Sequence, residues 1–195
     1  METFITKTFD IPKLVGISGE NIEEHLKLYK GYVTNTNLVI NKINEYSKDQ
    51  ETNSYILGEM YRRFSFEFNG MRNHEYYFSS FSGGPKEINK NGNLYKSIVE
   101  NWGSFENFIS QFKKLAMTRG IGWAMLYHDK SDGKLFISWV DEQHLGQLNG
   151  LSPILCLDMW EHSYITDYQP SGKKQYIEDF FVNINWENIE KNYLV

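Results

Sequence analysis

Two kinds of hydrophobic pattern divide the chain. From residue 18 to about 46, apolar and aromatic residues recur three or four positions apart, which predicts a helix that begins at Ser18. The polar segment 48–53 predicts a turn, and a second helix is expected over about 54–78. Two helices joined by so short a connection form an antiparallel hairpin.

The pattern changes after residue 78. A cluster of helix-breaking residues occupies 79–93 and predicts a boundary between two parts of the chain. Its members are Gly83, Gly84, Pro85, Asn91 and Gly92. Beyond it, helices are predicted over about 94–102 and 104–119, with Gly120 ending the second of them. Two more short helices are predicted over about 174–182 and 186–193.

Strand patterns lie between these helices. The segments WAMLYHD and KLFISWVDE are rich in aromatic and β-branched residues and are separated by turn residues 130–133, and the apolar run 151–157 predicts a third strand. The predicted fold class is therefore α+β, with an N-terminal antiparallel helical hairpin followed by a mixed region in which helices flank a three-stranded antiparallel sheet. The predicted domains are a helical hairpin over 1–83 and an α/β domain over 84–195.

Composition narrows the classes of function. The 195 residues can bury a real core, and the formal net charge of −5 argues against a general nucleic-acid or membrane binder, which needs a basic face. Cys156 is the single cysteine, so the chain has no internal disulfide and no thiolate metal cluster. The N-terminal residues lack a signal-peptide pattern, and a cytoplasmic location is expected.

The segment LCLDMWEHSY carries the strongest chemical signal. Asp158 ends the apolar third strand, and His162 follows four residues later, so both side chains could reach one metal ion. A buried carboxylate at Asp158 is costly unless another group pairs with it or binds it. A charged turn after a strand is the competing interpretation of this spacing.

The run DMWEHSY resembles the D-x-W-E-H-A-Y signature of the iron/manganese superoxide dismutases. The resemblance implies that Asp158 and His162 are metal ligands, and that two further histidines lie near the start of the chain and about fifty residues later; His25 and His74 occupy those places. It also implies one iron or manganese ion per chain and the disproportionation of superoxide to dioxygen and hydrogen peroxide. The similarity extends over nearly the entire chain, from Ile17 to Tyr193.

The resemblance also implies roles around the metal. In the family a Gln tunes the metal-bound solvent, and the segment WVDEQHLGQ offers Gln143 for that role, with His144 as its competitor. Trp123 and Trp160 resemble the family's tryptophans beside the ligands. A gateway tyrosine is expected on the first helix; Tyr32 is the first candidate, but its spacing from His25 is one residue short of the family's, so Tyr29 stays open.

Partners follow from the same resemblance. Family members form dimers through the Glu, His and Tyr of the signature, so a homodimer, or a tetramer, is expected through Glu161, His162 and Tyr164. Lys173, with Lys27 and Lys30, is a candidate for guiding the anionic substrate.

Two other functions compete with the dismutase. One is a non-catalytic interaction module of the same fold that has lost its metal, and the other is a zinc hydrolase. Three histidines and one aspartate already fill a tetrahedral zinc shell, which argues against the hydrolase.

Overall fold

The N-terminal half of the molecule is a pair of long packed helices. The computed structural model describes residues 3–194. Helix α1 spans Gly19–Tyr46 and helix α2 spans Ser54–Ser79, and a short 3-10 turn at Ser47–Asp49 begins the connection between them. Ser18 caps α1, because its Oγ accepts a hydrogen bond from the backbone N–H of Asn21 at 3.1 Å. The predicted helical hairpin is confirmed.

Four shorter helices surround the second half. Helix α3 spans Asn93–Trp102, α4 spans Phe105–Ala116, α5 spans Lys173–Asn183 and α6 spans Trp186–Leu194. The expected end of α4 at residue 119 was wrong. The backbone tightens after Ala116, since the N–H of Thr118 bonds to Leu115 O, three residues back, at 2.9 Å.

The sheet has three antiparallel strands, as predicted. Strand β1 spans Gly122–His128, β2 spans Leu135–Asp141 and β3 spans Ser152–Asp158, in the order β2-β1-β3. The central strand β1 places Trp123 opposite Asp158 of β3. Helix α2 packs against β3, so the hairpin lies next to the end of this strand.

One continuous core joins the two predicted domains. Buried apolar residues from the hairpin, the sheet and the C-terminal helices belong to a single cluster. Gly83 and Gly84 both adopt positive φ, at 77° and 78°, at the predicted boundary. The division at residue 83 stays a prediction, and its outer limits at residues 1, 2 and 195 lie outside the described residues. Within 3–194, no helix is both long and apolar enough to cross a membrane.

Candidate metal centre

Four side chains from distant parts of the chain converge at the end of β3. His25 comes from α1, His74 from α2, Asp158 from the last position of β3, and His162 from a 3-10 turn at Glu161–Ser163. One ligand atom from each of the four lies within 4.8 Å of the others. Two donors at about 2 Å from a common metal ion lie no more than about 4 Å apart, so a small contraction of the group would let all four bind one ion.

A single carboxylate oxygen stands at the middle of the group. Asp158 Oδ2 is 3.2 Å from Nε2 of both His25 and His162, and 3.6 Å from Nε2 of His74. The other oxygen, Oδ1, accepts a hydrogen bond from the backbone N–H of Trp160 at 2.8 Å. Asp158 is thereby fixed with Oδ2 directed at the three imidazoles.

The environment of His74 fits a metal ion. Its Nδ1 donates to the backbone O of Gly70 at 2.6 Å, which leaves Nε2 as the unprotonated nitrogen of the ring. Nε2 is buried and has no hydrogen-bond partner among residues 3–194. A buried nitrogen lone pair without a partner is costly in a folded protein, and a bound cation removes that cost. The donor set of imidazoles and one carboxylate suits iron or manganese.

Burial shifts the proton affinities of the group. Burial, together with the charge of His25, lowers the pKa of His74 to about 3. Burial also lowers the pKa of His25, although Asp158 opposes this shift. Burial alone would raise the pKa of Asp158, but His162 and His25 outweigh it and hold the pKa well below its usual range. The site therefore favours neutral imidazoles at His25 and His74 and an ionised carboxylate at Asp158, the forms that bind metals.

Gln143 lies next to the cluster and is held on three sides. Its Oε1 accepts from Trp123 Nε1 at 2.8 Å, its Nε2 donates to Tyr32 Oη at 2.9 Å, and its backbone O accepts from Asn73 Nδ2 at 3.0 Å. The residue is fully buried. The ring of the competitor His144 packs edge-on against Phe66 with the ring centres 5.7 Å apart, and His144 is not among the four clustered ligand candidates.

The two tyrosine candidates of α1 are separated by their hydroxyl groups. Tyr32 lies with its ring centre 5.0 Å from that of His74, and its Oη is bonded to Gln143. Tyr29 also contacts His74, at 6.4 Å between ring centres, but its Oη accepts from the backbone N–H of Lys7 at 3.0 Å. The geometry favours Tyr32 as the phenol of the site.

The two expected tryptophans border the histidines. The ring of Trp123 meets that of His74 edge-on at 5.0 Å, and the ring of Trp160 stacks on that of His162 at 5.8 Å. Trp160 is fixed by a hydrogen bond from its Nε1 to Glu142 O at 3.0 Å. Both therefore limit how far the histidine rings can turn.

The residues expected at a dimer contact differ in exposure. Glu161 is exposed, the His162 side chain is 23 % exposed, and Tyr164 is buried. Lys173 Nζ donates to Thr118 O at 2.7 Å and lies 5.6 Å from the Trp139 ring centre, and its role in guiding the substrate stays a prediction.

Sequence reasoning missed two supports of the site. Tyr176 of α5 is fully buried, and its Oη donates to the backbone O of Asp158 at 3.0 Å. Asn73, next to His74 in the sequence, holds the backbone of Gln143. Adjacency to a candidate ligand could have indicated Asn73, whereas no local pattern indicates Tyr176.

The fold and the cluster are those of an α+β protein with a candidate mononuclear metal site, and comparison with known proteins agrees. The family model described as iron/manganese superoxide dismutases, C-terminal domain, matches residues 90–192. The chain is 31% identical over 175 residues to a protein named superoxide dismutase [Fe] from Tetrahymena pyriformis, which covers 87% of this chain and 88% of that protein.

Two further relatives differ in the metal of their names. Superoxide dismutase [Fe] of Aquifex pyrophilus is 32% identical over 185 residues, covering 92% of this chain and 85% of that protein. Superoxide dismutase [Mn] of Mycobacterium leprae (strain TN) is 31% identical over 182 residues, covering 91% and 85%. The chain belongs to the iron/manganese superoxide dismutases, a family of oxidoreductases, and the family prediction from DMWEHSY is confirmed.

Proposed function

We propose that this protein is a superoxide dismutase that disproportionates superoxide at one iron or manganese ion held by His25, His74, Asp158 and His162. The observation that carries the proposal is the convergence of three imidazoles on Asp158 Oδ2 in a chain that belongs to this family. The unpartnered, buried Nε2 of His74 supports it independently of any comparison, since the described chain supplies no proton donor there.

The residues around the site have different roles in this proposal. Bound iron or manganese supplies one-electron chemistry, in which one superoxide is oxidised to dioxygen and a second is reduced, with two protons, to hydrogen peroxide. Asp158 and the three imidazoles hold the ion, and Trp123 and Trp160 keep the rings in place. Gln143, fixed by Trp123, presents its amide toward Tyr32, whose Oη accepts one hydrogen bond and keeps its own proton free to pass on. Burial raises the pKa of Tyr32, so the phenol stays protonated at neutral pH.

The finer parts of the proposal rest on the sequence. By the family resemblance, Gly70 combined with Gln143 from the sheet is more often the manganese arrangement, but His144 and Phe78 depart from it. Relatives carry either metal in their names, so the proposal covers both iron and manganese. A homodimer through Glu161, His162 and Tyr164 would complete the site at the exposed edge of His162. A cytoplasmic location remains part of the proposal, and the free thiol of Cys156 fits a reducing compartment.

The alternative is a non-catalytic interaction module of the same fold. Such a module has no reason to keep a buried carboxylate among three imidazoles, because each buried ionisable group costs stability when no ligand offsets it. The retention of Gln143 and its three hydrogen bonds argues in the same direction.

The test is elemental analysis joined to a dismutation assay on protein reconstituted separately with iron and with manganese. We expect about one ion per chain and activity with at least one metal. His74→Gln should lose the ion, whereas the control His128→Gln, at a histidine remote from the cluster, should keep it. A bound iron or manganese without activity would contradict the dismutase, and failure to bind either metal would favour the interaction module.

A further inference from the structure

A cleft of about 330 Å³ opens at the surface beside two residues that border the candidate metal centre. Its walls include Tyr32 and Trp160, whose rings contact His74 and His162 respectively. Two charged residues of α2, Arg63 and Glu67, line the same cleft. A small molecule that reaches the centre through this cleft must pass both of them.

Arg63 is held in one orientation. Its Nε donates to Glu67 Oε1 at 2.9 Å, and its guanidinium carbon lies 3.8 Å from the centre of the Phe66 ring. An arginine that is both paired and stacked on an aromatic face loses little further freedom when it binds another group. The same Phe66 ring lies 6.0 Å from that of Tyr32, so Arg63 stands one aromatic ring away from the phenol.

The outer donors of Arg63 are free for a ligand. The Arg63 side chain is 49% exposed, and its two Nη groups donate to no atom of residues 3–194. Lys27, the other cation that lines the cleft, is 68% exposed and is paired with Glu24 on its own helix. Arg63 is thus the cation in this cleft whose position is fixed and whose donors face outward.

Glu67 opposes the effect of Arg63 on an anion. Its side chain is only 6% exposed, and its Oε2 is buried without a partner in the described part of the chain. Helix α2 carries it one turn before Gly70, the residue against which the Tyr32 ring packs. The negative charge therefore lies beside the path to Tyr32 and weakens the attraction that Arg63 exerts.

We propose that Arg63 is a docking site for small monovalent anions at the mouth of this cleft, where it captures the anionic substrate, and that Glu67 limits its strength. The proposal rests on the proposed function for the identity of the substrate, but not for the binding of anions. Two free N–H groups on a planar guanidinium match the oxygens of a small oxyanion. Attraction of this kind acts on the rate of encounter and falls as ionic strength rises.

The kinetic test compares two neighbouring arginines in the metal-loaded enzyme. Arg63→Gln should lower kcat/KM about three- to tenfold at low ionic strength, and the difference should vanish at high salt. Arg62→Gln is the matched control, because Arg62 is 73% exposed, pairs with Glu59 and does not line the cleft. It changes the net charge equally and should leave kcat/KM within about twofold. Equal effects of the two variants would overturn the proposal.

A second variant, at Glu67, should change kcat/KM in the opposite direction. Glu67→Gln keeps an amide oxygen that can accept from Arg63 Nε but removes the negative charge, so kcat/KM at low ionic strength should rise about two- to threefold. A fall instead of a rise, with the metal content unchanged, would contradict the role given to Glu67.

The binding of an anion to Arg63 is measured separately from catalysis, on the metal-free protein. Titration of the metal-free protein with sodium nitrate should shift the Nε–Hε resonance of Arg63, while that of Arg62 in the same spectrum serves as the internal control. Equal shifts of both resonances would overturn the proposal. If the loaded enzyme showed no dismutation, the proposed function would fail, and the nitrate titration would still decide whether Arg63 binds anions.

Discussion

Tyr29 and Tyr32 lie less than one turn apart on α1, and the rings of both contact the same histidine. Both rings pack near His74, with ring centres 6.4 Å and 5.0 Å away. Their hydroxyl groups enter different surroundings. Tyr32 Oη joins Gln143 of the candidate centre, whereas Tyr29 Oη joins Lys7 and Glu75.

The Tyr29 hydroxyl group belongs to a hydrogen-bonded cluster with a structural role. Glu75 is 8% exposed and accepts from Lys7 Nζ at 2.7 Å and from Arg72 Nη1 at 2.8 Å, while Tyr29 Oη donates to its other oxygen at 3.3 Å. This cluster ties the N-terminal segment to both long helices. The partner of the hydroxyl group, and not the residue type or its spacing from His25, therefore separates the two tyrosines.

The largest expected effect concerns His74, the histidine that both rings contact. In the metal-free protein the pKa of His74 lies at about 3, against about 6.5 in an unfolded chain. Between these values the unfolded state binds a proton that the folded state refuses, so the free energy of unfolding should fall as pH decreases from about 6.5 toward 3, by on the order of 4 kcal/mol. Urea unfolding of the metal-free protein at a series of pH values measures this.

A matched variant isolates the contribution of His74. Metal-free His74→Gln should show a shallower pH dependence, because Gln takes up no proton in either state. An unchanged dependence would mean that other groups cause the acid sensitivity and that water reaches His74 past the two tyrosine rings.

The next largest effect on stability concerns the packing of the Tyr32 ring against Gly70. A Cβ at Gly70 would lie 2.5 Å from Tyr32 Cδ1, so Gly70→Ala should displace this ring, break its bond to Gln143 and destabilise the protein by about 1–3 kcal/mol. Gly58 of the same helix has no atom within 4 Å of an added Cβ, so Gly58→Ala should stabilise the protein by about 0.5–1 kcal/mol. Thermal unfolding and the activity of both variants check the contrast. A harmless Gly70→Ala would show that Tyr32 has room to move.

The sequence predicted the hairpin and the sheet because their signals are local. Helical spacing, the polar turn after α1 and the aromatic-rich strands each lie within a few residues of one another. The predicted end of α4 at residue 119 was wrong, because a 3-10 turn after Ala116 ends that helix before Gly120 is reached.

Unlike the fold, the candidate site was predicted only partly from local sequence patterns. Local pattern supplied only Asp158 and His162, and His25 and His74 were found through the family resemblance. Neither the local pattern nor the family resemblance predicted the contacts between residues that are distant in the sequence. Tyr176 meets Asp158 O from a separate helix, and the role of Arg63 depends on a cleft that only the packed helices create.

Removing the Tyr29 hydroxyl group should cost stability and spare catalysis. Tyr29→Phe leaves the backbone N–H of Lys7 and one oxygen of Glu75 without their partner, which costs about 1 kcal/mol. Activity per bound metal should stay within about twofold, because the ring still packs against His74. Urea unfolding and turnover are measured on the same preparation. A large loss of turnover would join Tyr29 to the candidate centre and remove the contrast with Tyr32.

Removing the Tyr32 hydroxyl group should do the opposite. Tyr32→Phe takes one acceptor from Gln143 Nε2, and water in the adjoining cleft can replace it, so the free energy of unfolding should change by less than about 0.5 kcal/mol. If the phenol passes protons toward the centre, kcat should fall about tenfold, less than is usual for a buried acid–base group because the same water can substitute, while kcat/KM falls less. Steady-state kinetics at saturating and limiting superoxide separates the two parameters. An equal loss in both would assign Tyr32 to substrate capture rather than proton transfer, and a loss of stability instead would make the two tyrosines of α1 equivalent.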